Sequence, residues 1–147
     1  MLCDGFCKSI FKANPMYMGS MKTFAKNLKK TSEHDEQVQI FKWAKLNESK
    51  FPELWLLNAS LNGVRLNIGQ ASKAKRSGMK SGYPDISLPV PRGKYHGYYQ
   101  ELKIKGNYPT KEQKEWLKNL SKQGYKCDVC YGAQESIQSI LKYLKEK

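Results

Sequence analysis

A chain of 147 residues that is 39% hydrophobic can bury one domain core and is too short for two. No apolar run approaches the roughly 18 residues that a membrane span requires, and no continuous apolar stretch near the start reads as a signal sequence, so a cytoplasmic protein with no membrane partner is expected. Lysine and arginine total 26 against 13 acids, a formal charge of +13, which favours a polyanionic partner because cationic side chains that neutralise phosphates release condensed counterions.

Residues 1–31 read as a basic N-terminal arm without clear periodicity, either touching nucleic acid or disordered. The organised domain is expected over 32–147. It opens at Ser32-Glu33-His34-Asp35, a helix N-cap box whose acids sit at the positive end of the helix dipole. Val38, Ile40, Phe41, Trp43 and Ala44 then give a helical apolar side up to about Ser49, where Phe51-Pro52 stops it. Leu54 to Leu57 reads as a short buried strand. A polar, basic stretch over 58–82 carries a short helix from Ile68 to Ser77, ended by Gly78. Strands are expected at Tyr83–Leu88 and Gly97–Ile104, with Pro89, Pro91 and Arg92-Gly93-Lys94 turning the chain between them. Thr110-Lys111-Glu112-Gln113 is a second capping box, opening a helix with Gln113, Trp116, Leu117 and Leu120 on one face and Gly124 at its end. A strand at Tyr125–Tyr131 and a helix striped by Ile137, Ile140, Leu141 and Leu144 complete an α/β fold, a mixed sheet flanked by helices.

Four cysteines, Cys3, Cys7, Cys127 and Cys130, raise the question of zinc. Cys127 and Cys130 lie three apart on a predicted strand and so point to opposite faces, which argues against convergence on a metal. His34 and His96 receive no role.

The turn near Gly93 brings chemistry together. If the flanking strands pair antiparallel about residue 93, Asp85 faces Glu101, and facing residues have Cβ atoms about 4.5–5.5 Å apart. Lys103, two residues beyond Glu101, projects from the same face, while Ile86 and Leu88 share the other with Leu102 and Ile104. A one-residue slip would break both patterns. Two adjacent carboxylates repel unless a cation sits between them, and hard oxygen ligands suit magnesium or manganese. A lysine alongside adds positive charge at a reacting phosphate. Each motif alone has a plain reading: Glu-x-Lys as an exposed ion pair, Pro-Asp as a turn signal.

Gly82-Tyr83-Pro84-Asp85-Ile86 followed by Gly97-Tyr98-Tyr99-Gln100-Glu101-Leu102-Lys103 resembles the core of the PD-(D/E)xK nucleases and, more narrowly, the VRR-NUC (virus-type replication-repair nuclease) family. Asn62-Gly63 with Arg65, the basic stretch Lys75-Arg76-Ser77-Gly78, Thr110 with Gln113 before Trp116, and Gly124-Tyr125 before the last strand extend the resemblance over about 32–145. It implies a restriction-endonuclease-like fold and a Mg2+- or Mn2+-dependent DNA endonuclease, phage- or bacterium-encoded. Such an enzyme would be structure-selective in the manner of Holliday-junction resolvases and would act as a homodimer. The implied ligands are Asp85, Glu101, the Leu102 carbonyl and one acid of the first helix: Glu33, Asp35 or, favoured here, Glu36 from its Glu-Gln-Val-Gln run. Lys103 would position or activate water. Gln113 would bond an active-site group or substrate, or else serve only the cap. Arg65, Lys75, Arg76 and Lys80 are candidate phosphate contacts. Tyr83, Tyr95 and Trp116 read as core or surface aromatics rather than stacking platforms. The alternative function is a non-catalytic nucleic-acid-binding protein on the same fold.

Overall fold

The computed structural model describes residues 31–60 and 66–147. The expected basic arm therefore lies outside the described residues apart from Thr31, as do Cys3, Cys7, Asn62, Gly63 and Arg65.

Helix α1 (Glu33–Asn47) starts at the expected box: Ser32 Oγ accepts from the Asp35 amide, and the Asp35 side chain accepts from the Ser32 amide. Ile40 and Ala44, one turn apart, are its buried residues. The expected strand at Leu54–Leu57 is instead a 3-10 turn over Pro52–Leu56. Pro52 has its φ preset for a helical start. In a 3-10 turn residues three apart share a side, so Leu54 and Leu57 are buried while Trp55 between them is 74% exposed. Strand β1 (Asn58–Ala59) follows. Helix α2 (Ile68–Arg76) has its own capping box, Asn67 with Gln70, and ends on Lys73, Lys75 and Arg76, cations placed at the negative end of its dipole.

The sheet runs β1, β2 (Ile86–Leu88), β3 (Tyr98–Lys103), β4 (Lys126–Tyr131) in that spatial order. The first two pairings are antiparallel and β3–β4 is parallel, giving a mixed sheet. Helix α3 (Lys111–Lys122) connects β3 to β4, as a parallel pair demands, and α4 (Gly132–Leu144) closes the fold. Ile86 pairs with Gln100, Ser87 with Tyr99 and Leu88 with Tyr98, which is the register centred on residue 93.

That register sorts the sheet into two faces. Ile86, Leu88, Tyr98 and Leu102 point into the main core, where α1 and α4 supply Ile40, Ala44, Ala133, Ile140 and Tyr143. Gln100 is fully buried on this face, in contact with the Tyr98 hydroxyl, and the stripe of α4 includes two deep residues, Ser136 and Tyr143, that apolar spacing did not single out. Ser87, Tyr99, Glu101 and Lys103 occupy the opposite face, towards α3. Cys127 pairs with Tyr99 and Cys130 with Leu102, so the two free thiols do lie on opposite faces.

Candidate active site

Asp85 sits one residue before β2, at the position that continues the register opposite Glu101. Its placement depends on Gly82, whose φ is +81° and where an added Cβ would come within 2.8 Å of the Glu112 backbone at the start of α3. Only glycine satisfies both the left-handed backbone and that approach. From there Asp85 Oδ2 accepts from the Leu102 amide at 2.9 Å, and the Asp85 carbonyl accepts from Ser60 at 2.8 Å. β2 begins only at Ile86, so the carboxylate takes the place of a ladder partner. The N–H and C=O of one strand residue point to the same side, which aims the Leu102 carbonyl towards Asp85 as well.

Glu101 is fully buried. Its Oε1 accepts from Lys103 Nζ at 2.6 Å and from Gln113 Nε2, while Oε2 is buried without a hydrogen-bond partner. Burial, and then the charge of Asp85, push its carboxyl up to about 7 against the pull of Lys103. Burial alone would lower the Lys103 ammonium, but the bond to Glu101 and the charges of Glu101, Asp85 and Glu33 outweigh it and raise the group, so it is a cation at neutral pH. The two directions have different origins: burial leads for the carboxyl, whereas the facing carboxylates raise the ammonium against its burial. Lys103 Nζ also donates to the Leu102 carbonyl at 3.0 Å and lies 3.7 Å from Glu33 Oε2.

Gln113 does both things that the sequence left open. Its Oε1 accepts from the Thr110 amide at 2.8 Å, completing the capping box, and its Nε2 reaches Glu101. The amide orientation follows from its neighbours, because a backbone N–H demands the oxygen.

The acids of α1 take different positions. Asp35 serves the cap. Glu33 faces Lys103 and accepts from Asn107 Nδ2 at 2.9 Å. Glu36, favoured from sequence as a ligand, turns to α4, where its Oε2 accepts from the Ala133 amide at 2.7 Å, at the positive end of that helix. Among the described residues no three His, Cys, Asp or Glu side chains converge as a metal-ligand group; Asp85 and Glu101 stand as a pair. Lys75, Arg76 and Lys80 are exposed, on α2 and the loop after it.

The neighbourhood includes features that motif reading passed over. Rings of Tyr125, Tyr99, Tyr83 and Trp116 meet edge-to-face in sequence, with centroids 5.2, 5.9 and 5.1 Å apart. The row ends at a cleft of about 730 Å³ lined by Ala59, Met79, Lys80, Tyr83 and Trp116, among others. Glu33 with Asn107 was equally hidden, since no local pattern signals a contact between residues so distant in the chain.

An α/β domain with a mixed four-stranded sheet, an aspartate at the mouth of one strand and Glu-x-Lys on its antiparallel neighbour defines the PD-(D/E)xK nuclease class. The VRR-NUC domain model matches residues 23–134, beginning within the segment read from sequence as an arm. A solved structure described as a VRR_NUC domain protein is 35% identical, with a TM-score of 0.67 over 80% of this chain and 92% of that one. No curated protein matches the chain. The chain belongs to the VRR-NUC family, and its domain is accordingly of a nuclease type whose substrate is nucleic acid. No described helix is long and apolar enough to cross a membrane.

Proposed function

We propose that this chain is an endonuclease that hydrolyses DNA phosphodiester bonds using Mg2+ or Mn2+ held between Asp85 and Glu101, with the Leu102 carbonyl as a third oxygen donor. The observation that carries this reading is the buried Glu101 Oε2, left without a partner beside a second carboxylate. Lys103 and Gln113 satisfy Oε1 only, so Oε2 is a buried acceptor that a cation would satisfy, and an all-oxygen donor set is what magnesium and manganese prefer. When bound, such an ion supplies Lewis acidity to the scissile phosphate.

The chain's own groups account for the rest. Asp85 is held by the Leu102 amide and Glu101 by Gln113, so the carboxylates need little reorganisation. Lys103, charged and fixed by Glu101, brings a cation to the phosphate that gains negative charge in the transition state and orients the attacking water. Lys75, Arg76 and Lys80, with Arg65, would hold flanking phosphates. The bond to Ala133 favours a supporting role for Glu36 over a ligand's. Branched substrates and a homodimer are part of the proposal, because two nicks on a four-way junction require two active sites.

The test is cleavage of flap, nicked and four-way DNA by the wild-type chain and by Asp85→Ala in manganese. The proposal requires cleavage that the variant loses by at least a hundredfold. Equal cutting by both would refute the site. Salt-sensitive binding with no metal-stimulated cleavage would favour the non-catalytic alternative.

A further inference from the structure

The cleft beside the carboxylates has a chemistry that phosphate contact alone does not explain. Its walls are apolar and aromatic, Ala59, Ala74, Met79, Tyr83 and Trp116, with polar groups from Asn58, Ser60 and Ser77. Among the described residues its single charged wall residue is Lys80. A neighbouring groove of about 530 Å³ shares Met79, Lys80 and Trp116 and adds Lys75, but its Glu112 and Glu115 offset the two lysines. The first cleft, with Lys80 and no acid among its described lining residues, is the better match to a nucleic acid than the charge-balanced groove. Its volume falls within the range of about 300–1,000 Å³ in which proteins hold small organic groups.

The cleft is joined to the reaction centre by covalent neighbours. Tyr83 is two residues before Asp85, Ser60 donates to the Asp85 carbonyl, and Trp116 follows Gln113 by one turn of α3. Trp116 is fixed rather than loose: its Nε1 donates to the Ser81 carbonyl at 2.9 Å, and its ring meets Tyr83 at 78°. A braced indole with a lysine nearby is suited to stacking a nucleobase whose sugar-phosphate carries the charge.

We propose that this cleft is a subsite for one unpaired nucleobase, stacked on Trp116 and bordered by Tyr83, with its phosphate near Lys80, and that it directs cleavage to sites next to single-stranded DNA. A paired base inside a duplex has both faces covered by its neighbours and enters only at the cost of unpairing and unstacking, whereas a base at a flap, bulge or branch presents a free face. This subsite rests on the nuclease reading above and specifies its substrate.

The experiment is an abasic scan. The full-length chain in manganese is given a duplex with a short single-stranded flap in which one base at a time is removed and the backbone kept. The subsite requires that loss of one particular unpaired base lowers kcat/KM by roughly tenfold or more, while loss of paired bases on the duplex arm does not. Trp116→Ala should cut the intact flap as slowly as wild type cuts the critical abasic one, with no further loss when both changes combine. The wild-type scan stands without the variant if that variant fails to fold. Cleavage indifferent to the removal of every unpaired base overturns the subsite and leaves the nuclease reading intact. Absence of metal-dependent cleavage on every substrate overturns both.

Discussion

The side chain of Gln113 bridges the first turn of α3 to Glu101, its oxygen on the Thr110 amide and its nitrogen on the buried carboxylate. The helix start and the active-site glutamate are thus fastened by one residue. Thr110→Ala removes only the hydroxyl that accepts from the Gln113 amide and should cost about 1 kcal/mol of stability with activity retained. Gln113→Ala should lose a similar amount of stability and, in addition, at least tenfold in kcat. Thermal melts and single-turnover cleavage of the two variants separate the roles.

Glu36 joins α1 to the start of α4 through Ala133. A hydrogen bond to a charged group contributes roughly 1.5–3 kcal/mol, so Glu36→Ala should lower Tm by roughly 5 °C or more, with kcat/KM for cleavage falling less than tenfold. A collapse of activity at unchanged Tm would make Glu36 a ligand instead.

The raised carboxyl of Glu101 has a consequence for metal-free stability. A carboxyl that binds its proton more tightly when folded contributes stability below its ordinary range, and that contribution is lost as pH rises towards about 7. Without divalent ions, Tm should fall between pH 5 and 7.5. Added Mg2+ or Mn2+ should restore most at the upper end, and Glu101→Gln should flatten the slope. Melting curves across that range check all three.

Burial, with Asp128 and Glu135 nearby, pushes the Cys130 thiol up to about 12, and burial raises Cys127 as well. Thiolate is the reactive form, so in the native chain at pH 8 iodoacetamide should leave Cys130 unmodified and label it only after unfolding. Peptide mass spectrometry reads this directly.

Much of this geometry was legible in the sequence, because two periodicities had to agree. Only one register both buried Ile86, Leu88 and Leu102 and set Asp85 opposite Glu101, and β2 and β3 adopt it. Capping chemistry likewise announced the starts of α1 and α3. The phase of α1 was less legible. Its acids Glu33, Asp35 and Glu36 are successive spokes of one turn, and which faces what depends on how α1 meets α4 and β3. The run at Leu54–Leu57 misled because two buried leucines at a spacing of three fit a 3-10 turn as well as an apolar run fits a strand. The buried polar residues Gln100 and Ser136 have no sequence signature, since their burial follows from what surrounds them.

Crystals of the wild-type chain soaked in manganese, with data collected near the manganese absorption edge, test the site where the account is most exposed. An anomalous peak liganded by both Asp85 and Glu101 is the predicted result. Diffraction that locates manganese elsewhere, or leaves those two carboxylates bare at millimolar metal, would contradict it.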